Sequence, residues 1–316
     1  MSKILLFVLL PCLGFSQGNF AEVDALFQEK QYHDAELFLT KYLKNHPNNL
    51  EVKSLLGDAY GYQKKWDNAI NCYEEVLEKD KTKAKYFYNY GSILAMMAME
   101  NRLKAMAYIG DMKVAFLKAA ELDKKHINTR WALVQYYMHL PGIVGGSKEK
   151  ALQYAQELEQ LSKVDGYLAK GFIYKYDDDF EEAEIYYKKA VKVGGSLTCY
   201  LELMKLYEQE NLHEKALETV EIAKQHLQDN ALNYQLGRLS ASYQIAHKKG
   251  ITSLENYLKK FSDKDQIPKA SAHYRLAQIY RYQEHKNQAL KHINLALKEL
   301  PSEERFSDEK EHILDM

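Results

Sequence analysis

Proline and glycine are scarce, at 5 and 15 of 316 residues, while Ala, Leu, Lys, Glu and Gln abound. That balance is helix-forming stock. An excess of charge of either sign is also missing. Lys plus Arg number 43 against 44 Asp plus Glu, a net charge of −1. This excludes a general polyanion binder, and nucleic acid with it, and leaves room only for a local basic face. Cysteine is confined to Cys12, Cys72 and Cys199, so one disulfide is the most an exported chain could form beyond its N-terminal segment. The N-terminal apolar run, Ile4 to Phe15, is about 12 residues and too short to span a bilayer comfortably. What is present is an apolar content of 46%, which argues against disorder, and an unusual 25 tyrosines.

The stretch "MSKILLFVLLPCLGFSQ" has the build of a targeting signal: Lys3, the apolar run, then small residues at Gly14 and Ser16. Residues 1–16 are expected to be a cleaved secretory signal, with an uncleaved anchor as the other reading. Pro11 before Cys12 departs from a lipoprotein signal, which wants a small residue there. Cleavage would remove Lys3 and leave 42 cations against 44 acids, a net −2. The expected location is the bacterial periplasm or cell envelope, with no stable membrane insertion after cleavage.

Against these absences stands a repeat. "LLGDAYGYQKKWDNAINCYEEVL" (55–77) carries Gly57 and Ala69, each followed by a tyrosine three or four residues on. The alanine recurs as Ala35, Ala183, Ala216 and Ala289, with weaker copies at Met112, Ala151 and Leu254. An aromatic precedes three of them, at Tyr32, Trp66 and Phe180. Successive separations are 34, 43, 39, 32, 33, 38 and 35. A period near 34 marks a helical repeat array. Gly57 and Tyr60 match Gly171 and Tyr174, Gly91 and Gly237 hold the same small position, and Pro47 and Pro301 close the first and last units.

The pattern resembles the tetratricopeptide repeat, through Leu56, Gly57, Tyr60, Ala69 and Tyr73 in the second unit. Gly171, Tyr174, Ala183, Tyr187 and Ala190 carry it in the fifth, and Leu276, Tyr280, Ala289, Ala296 and Pro301 in the eighth. The resemblance implies an all-α fold, a right-handed superhelical α-solenoid of about eight helix-turn-helix repeats. These fall near 17–49, 50–83, 84–126, 127–163, 164–196, 197–229, 230–269 and 270–303, with a charged tail over 304–316. Stacked repeats touch only their neighbours, so Cys72 and Cys199 are expected to remain unpaired. Three units run long: the third by nine residues, read as longer helices, the fourth by five at "PGIVGGSK", and the seventh by four or five around "AHKKGITS".

Chemistry is thinly represented. "PGIVGGSK" fails the phosphate-loop pattern, because Ser147 precedes Lys148 where glycine is needed, and reads as a turn with Ser147 capping the next helix. There is no H-E-x-x-H, C-x-x-C or G-x-S-x-G. His285 and His292 lack a third ligand. Asp177, Asp178 and Asp179 lack calcium-loop spacing and suit a helix start. The expectation is no enzyme, no cofactor and no metal, with a non-catalytic scaffold or adaptor binding a protein or peptide. The alternative is an envelope enzyme or transport-associated component whose chemistry lies outside known motifs.

In the resembled family the first helices of the repeats line the inner, concave face. Carried over, its inward positions give Tyr88, Trp131, Gln135, Lys175, Lys205, Tyr234, Arg238, Tyr274, Gln278 and Arg281 as a partner-binding groove. Asn89 holds one position of the family's chaperone-tail clamp, but Ser54 stands where that clamp wants lysine. The later residues combine four cations with Tyr234 and Tyr274, which suggests an acidic partner, although Glu208 and Asp165 also map inward. Reversing Lys205 and Arg238 to glutamate is expected to weaken binding with little loss of melting temperature.

Overall fold

Breaks of a few polar residues divide the chain into helices, most of them of 13 or 14 residues. The computed structural model describes residues 20–100 and 102–316; the expected signal, residues 1–16, and Cys12 lie outside them. All regular structure among the described residues is helical. Two units are distinguished, divided at Glu157 and Leu158. The first holds α1 (Ala21–Gln28), α2 (Tyr32–Asn45), α3 (Leu50–Tyr62), α4 (Trp66–Lys79), α5 (Ala84–Glu100), α6 (Arg102–Leu122), α7 (Ile127–His139) and the start of α8 (Lys148–Leu161). The second holds the end of α8, then α9 (Lys163–Tyr176), α10 (Phe180–Gly194), α11 (Leu197–Gln209), α12 (His213–His226), α13 (Ala231–Tyr243), α14 (His247–Lys259), α15 (Lys269–Tyr282), α16 (Lys286–Glu299) and α17 (Glu304–Leu314).

A shared local device makes five of the pairs hairpins. Turns of three residues follow α1, α3, α9, α11 and α15, and the middle residue is left-handed: Lys30, Lys64, Asp178, Asn211 and Glu284, with φ between 59° and 62°. That conformation lets the next amide reach back five residues. Lys65 N–H donates to the Tyr60 carbonyl at 2.9 Å, and Asp179 N–H to that of Tyr174 at 2.9 Å. The helix end is capped without glycine, at about 1–2 kcal/mol of backbone strain per turn. Tyr32, Trp66 and Phe180 each open the second helix of their pair.

The small residues let a large one in. A Cβ on Gly57 would lie 2.8 Å from the Tyr73 ring, on Gly91 2.6 Å from Phe116, and on Gly171 2.6 Å from Tyr187. Each ring sits four residues beyond Ala69, Met112 or Ala183 in the facing helix. In the seventh pair the intruder is Leu254, 2.2 Å from a Cβ on Gly237. Leu254 therefore holds the ring position, and the alanine position belongs to Gly250, where a Cβ would meet Ser240 at 2.3 Å. The separations become 34 and 39. The extra residues lie after α14, where the link 260–268 has nine residues against four after α2, α4, α12 and α16. The sequence pattern slipped by one helical turn because Leu254 is as buried as the alanines it was matched to.

The third pair spends its insertion on helix length, 17 residues in α5 and 21 in α6. At "PGIVGGSK" α7 stops at His139 and Ser147 Oγ accepts the Lys150 amide at 3.2 Å. Residues 304–316 form more than a charged tail. Phe306 and Ile313 of α17 are buried against Ala289, Ile293 and Ala296 of α16, at a spacing hidden among eight charged or histidine neighbours. Burial of such side chains is worth about 1.5–3 kcal/mol each. Both described cysteines are free thiols, Cys199 buried and Cys72 partly so.

Candidate functional site

In the first unit the first helices α3 and α5 lie side by side. Tyr73 reaches between them from α4, donating to Asp58 Oδ1 at 2.5 Å and lying 3.0 Å from the Ser54 carbonyl. Asn89 donates to Asp58 Oδ2 at 3.2 Å and contacts the Tyr73 hydroxyl at 3.1 Å. Burial pushes the Asp58 carboxyl up to about 6, against the Tyr73 hydrogen bond and Lys85, which pull it down. Asn89 is thus already engaged. Tyr88 packs edge-on against His126, with ring centroids 5.0 Å apart, and Trp131 and Gln135 are half-buried on α7.

In the second unit the first helices are joined by charge. Lys175 on α9 pairs with Glu202 on α11 at 3.1 Å, and Lys205 pairs with the same carboxylate at 2.7 Å. Burial works to raise Glu202; the two lysines outweigh it and hold its pKa below the ordinary value. Arg238 on α13 forks onto both oxygens of Glu208 on α11, at 2.8 and 2.7 Å, and Tyr243 donates to Glu208 at 2.9 Å. Arg281 on α15 pairs at 2.6 Å with Glu309 on α17, which is only 4% exposed. Between these, Gln278 donates to the Tyr274 hydroxyl at 2.9 Å. On the α15–α16 interface His273 and His292 face each other Nδ1 to Nδ1 at 3.0 Å. Burial, then His273, push His292 down to about 4. His292 stacks on Tyr280, and its imidazole partner is His273 rather than His285.

The four cations read from sequence as a basic face are therefore all paired, Lys175 and Lys205 sharing Glu202, Arg238 with Glu208 and Arg281 with Glu309. Tyr234 is buried against Tyr257, and the half-buried Tyr274 packs on Phe306 with centroids 5.0 Å apart, so both rings are engaged in packing. Arg238→Glu would set two carboxylates together, so the expected sparing of stability fails at that position. Glu202 and Glu309 were missed. The available signal was opposite charge about one repeat apart: 175 with 202, 208 with 238, 281 with 309, separations of 27 to 30.

The tetratricopeptide-repeat family matches residues 54–82 and 164–193, the second and fifth pairs. No curated protein matches the chain. Among solved structures it is similar to a tetratricopeptide repeat protein from Parabacteroides merdae, at 13% identity over 93% of this chain and 97% of that one, with a TM-score of 0.49. YrrB, described as a TPR protein with an unusual peptide-binding site, is 19% identical over 62% of this chain and 98% of its own, at 0.43. A chain of the APC/C hetero-tetramer Cut9–Hcn1 is 18% identical over 93% of this chain at 0.45, and this chain spans 54% of its length. With the second and fifth pairs matched directly, and the same glycine seat recurring at Gly91 and Gly237 in the third and seventh, the chain carries tetratricopeptide repeats.

Proposed function

We propose that the chain is a non-catalytic scaffold that holds a partner protein or peptide along the first-helix face of one or both units. The observation that carries this is the pre-paired surface of α9, α11, α13 and α15. Glu202 and Glu208 lock cations of neighbouring first helices, which fixes side chains before any ligand arrives and lowers the ordering cost of binding. Lys205, 45% exposed, and Gln278 stand on that face as contacts for a peptide. An acidic segment would engage Lys205 in competition with Glu202. The N-terminal segment, by its sequence, suits export to the envelope, where such a partner would be met.

The test places a photo-crosslinking residue at Lys205, at Gln278 or, as a control, at Lys188 on α10, 58% exposed. Each variant is irradiated in its native cell envelope and adducts are read by mass spectrometry. Adducts to the same protein from positions 205 and 278, and none from 188, are expected. Adducts from 188 alone would move binding off this face.

A further inference from the structure

The unpaired cations lie elsewhere. Between α12 and α14 runs a groove floored by Leu236 of α13, made of two adjoining cavities of 470 and 430 Å³ that share Lys224. Lys248 and Lys249 stand at one end and Lys260 at the other. Lys249 is bound to Glu221 at 2.6 Å, and Asp229 is occupied by the Ala231 amide at 2.8 Å. The Lys224 ammonium has only a hydroxyl to donate to, Ser253 Oγ at 2.8 Å. Burial pushes its pKa down, with Lys260 adding to the effect and Glu221 opposing it. A half-buried cation whose hydrogen-bond partner is neutral, and whose nearby acid Glu221 is bound to Lys249, is stabilised by an arriving carboxylate more than a solvated one would be.

We infer that the α12–α14 groove is a second binding site, for an extended peptide segment bearing several carboxylates. Each cavity alone exceeds the volume of one inorganic anion, and their union at Lys224 makes an elongated slot. Gln225 in its wall, exposed, supplies an amide group that matches a peptide backbone, and the Leu236 floor accepts an aliphatic stem. On the first-helix face three carboxylates already hold the four cations, which leaves Lys205 as the weaker competitor for this charge. The site is separate from that face, and either can fail without the other.

The probe is a fluorescein-labelled octapeptide of alternating aspartate and glutamate, titrated with the full chain at low ionic strength and read by anisotropy. The triple variant Lys224→Gln, Lys248→Gln, Lys260→Gln should bind about tenfold more weakly. A charge-matched triple at Lys188, Lys192 and Lys215, all exposed and outside the groove, should bind as the wild type does, and an octalysine probe should not bind. The single Lys260→Gln, at an exposed position, should weaken binding about threefold with an unchanged thermal melt. Equal losses in the two triples, no binding by the wild type, or full displacement by inorganic phosphate at matched charge would each overturn the inference, the last by making the groove a general anion site.

Discussion

The second and fifth repeats share one hairpin and differ at one position that matters. In both, a glycine admits a tyrosine from the facing helix, Gly57 with Tyr73 and Gly171 with Tyr187. The residue after the glycine is Asp58 in one and Phe172 in the other. With Asp58 the Tyr73 hydroxyl is bonded to a carboxylate and a carbonyl. With Phe172 the Tyr187 hydroxyl is buried with no partner, and Lys175 lies 5.5 Å from the ring centre. Steric fit thus defines the hairpin, and polar satisfaction is a local addition that the fold does without.

The largest effect should come from the shared part. Gly57→Val and Gly171→Val each drive a branched side chain into a ring already at contact distance, at about 3 kcal/mol. Hydrogen exchange read over residues 50–79 and 163–194 should show comparable losses. A loss at only one would mean that the two seats are not equivalent.

The next effect separates them. Asp58 titrates near 6 in the folded chain against 3.8 unfolded, so between those values only the folded state holds the proton. Stability is greatest below about pH 4 and falls as pH rises through 6, by up to about 3 kcal/mol. Asp58→Asn should abolish this slope in repeat two and raise stability at pH 7, whereas repeat five, lacking the carboxylate, should show none of it. His292 titrates near 4 against 6.5, so protection of α15 and α16 should move the other way, weakening as pH falls from 6.5 to 4. Lys269, Lys291 and Tyr280 surround that histidine pair, and the two lysines oppose its protonation.

How much of this was legible follows from which forces have a period. The hairpins and their glycine seats recur, so Gly57, Gly91, Gly171 and Gly237 announced them, although Leu254 was taken for its neighbour one turn away. The left-handed turns at Lys30 and Lys64 were invisible, since nothing in a lysine signals that conformation. The face was half legible. Inward positions could be counted, but whether Arg238 is free depends on Glu208, thirty residues back on a neighbouring helix. The phenol of Tyr187 looked like that of Tyr73 because its fate is set by residue 172, which the repeat pattern leaves open.

The smallest effect sharpens the contrast most. Tyr73→Phe strips a hydroxyl from Asp58 and the Ser54 carbonyl, leaving buried acceptors short of a donor, and should cost about 1–3 kcal/mol. Tyr187→Phe removes an atom that gained nothing on burial, so it should be neutral or stabilising by up to about 1 kcal/mol. Both substitutions keep the ring that fills its glycine seat, so packing cancels in the comparison. Chemical denaturation followed by exchange in each segment reads the pair. Opposite signs would show that the hydroxyl in repeat five is a remnant of the pattern. A cost at Tyr187 near that at Tyr73 would mean that its hydroxyl is satisfied in solution, with Lys175 or water as the group to pursue.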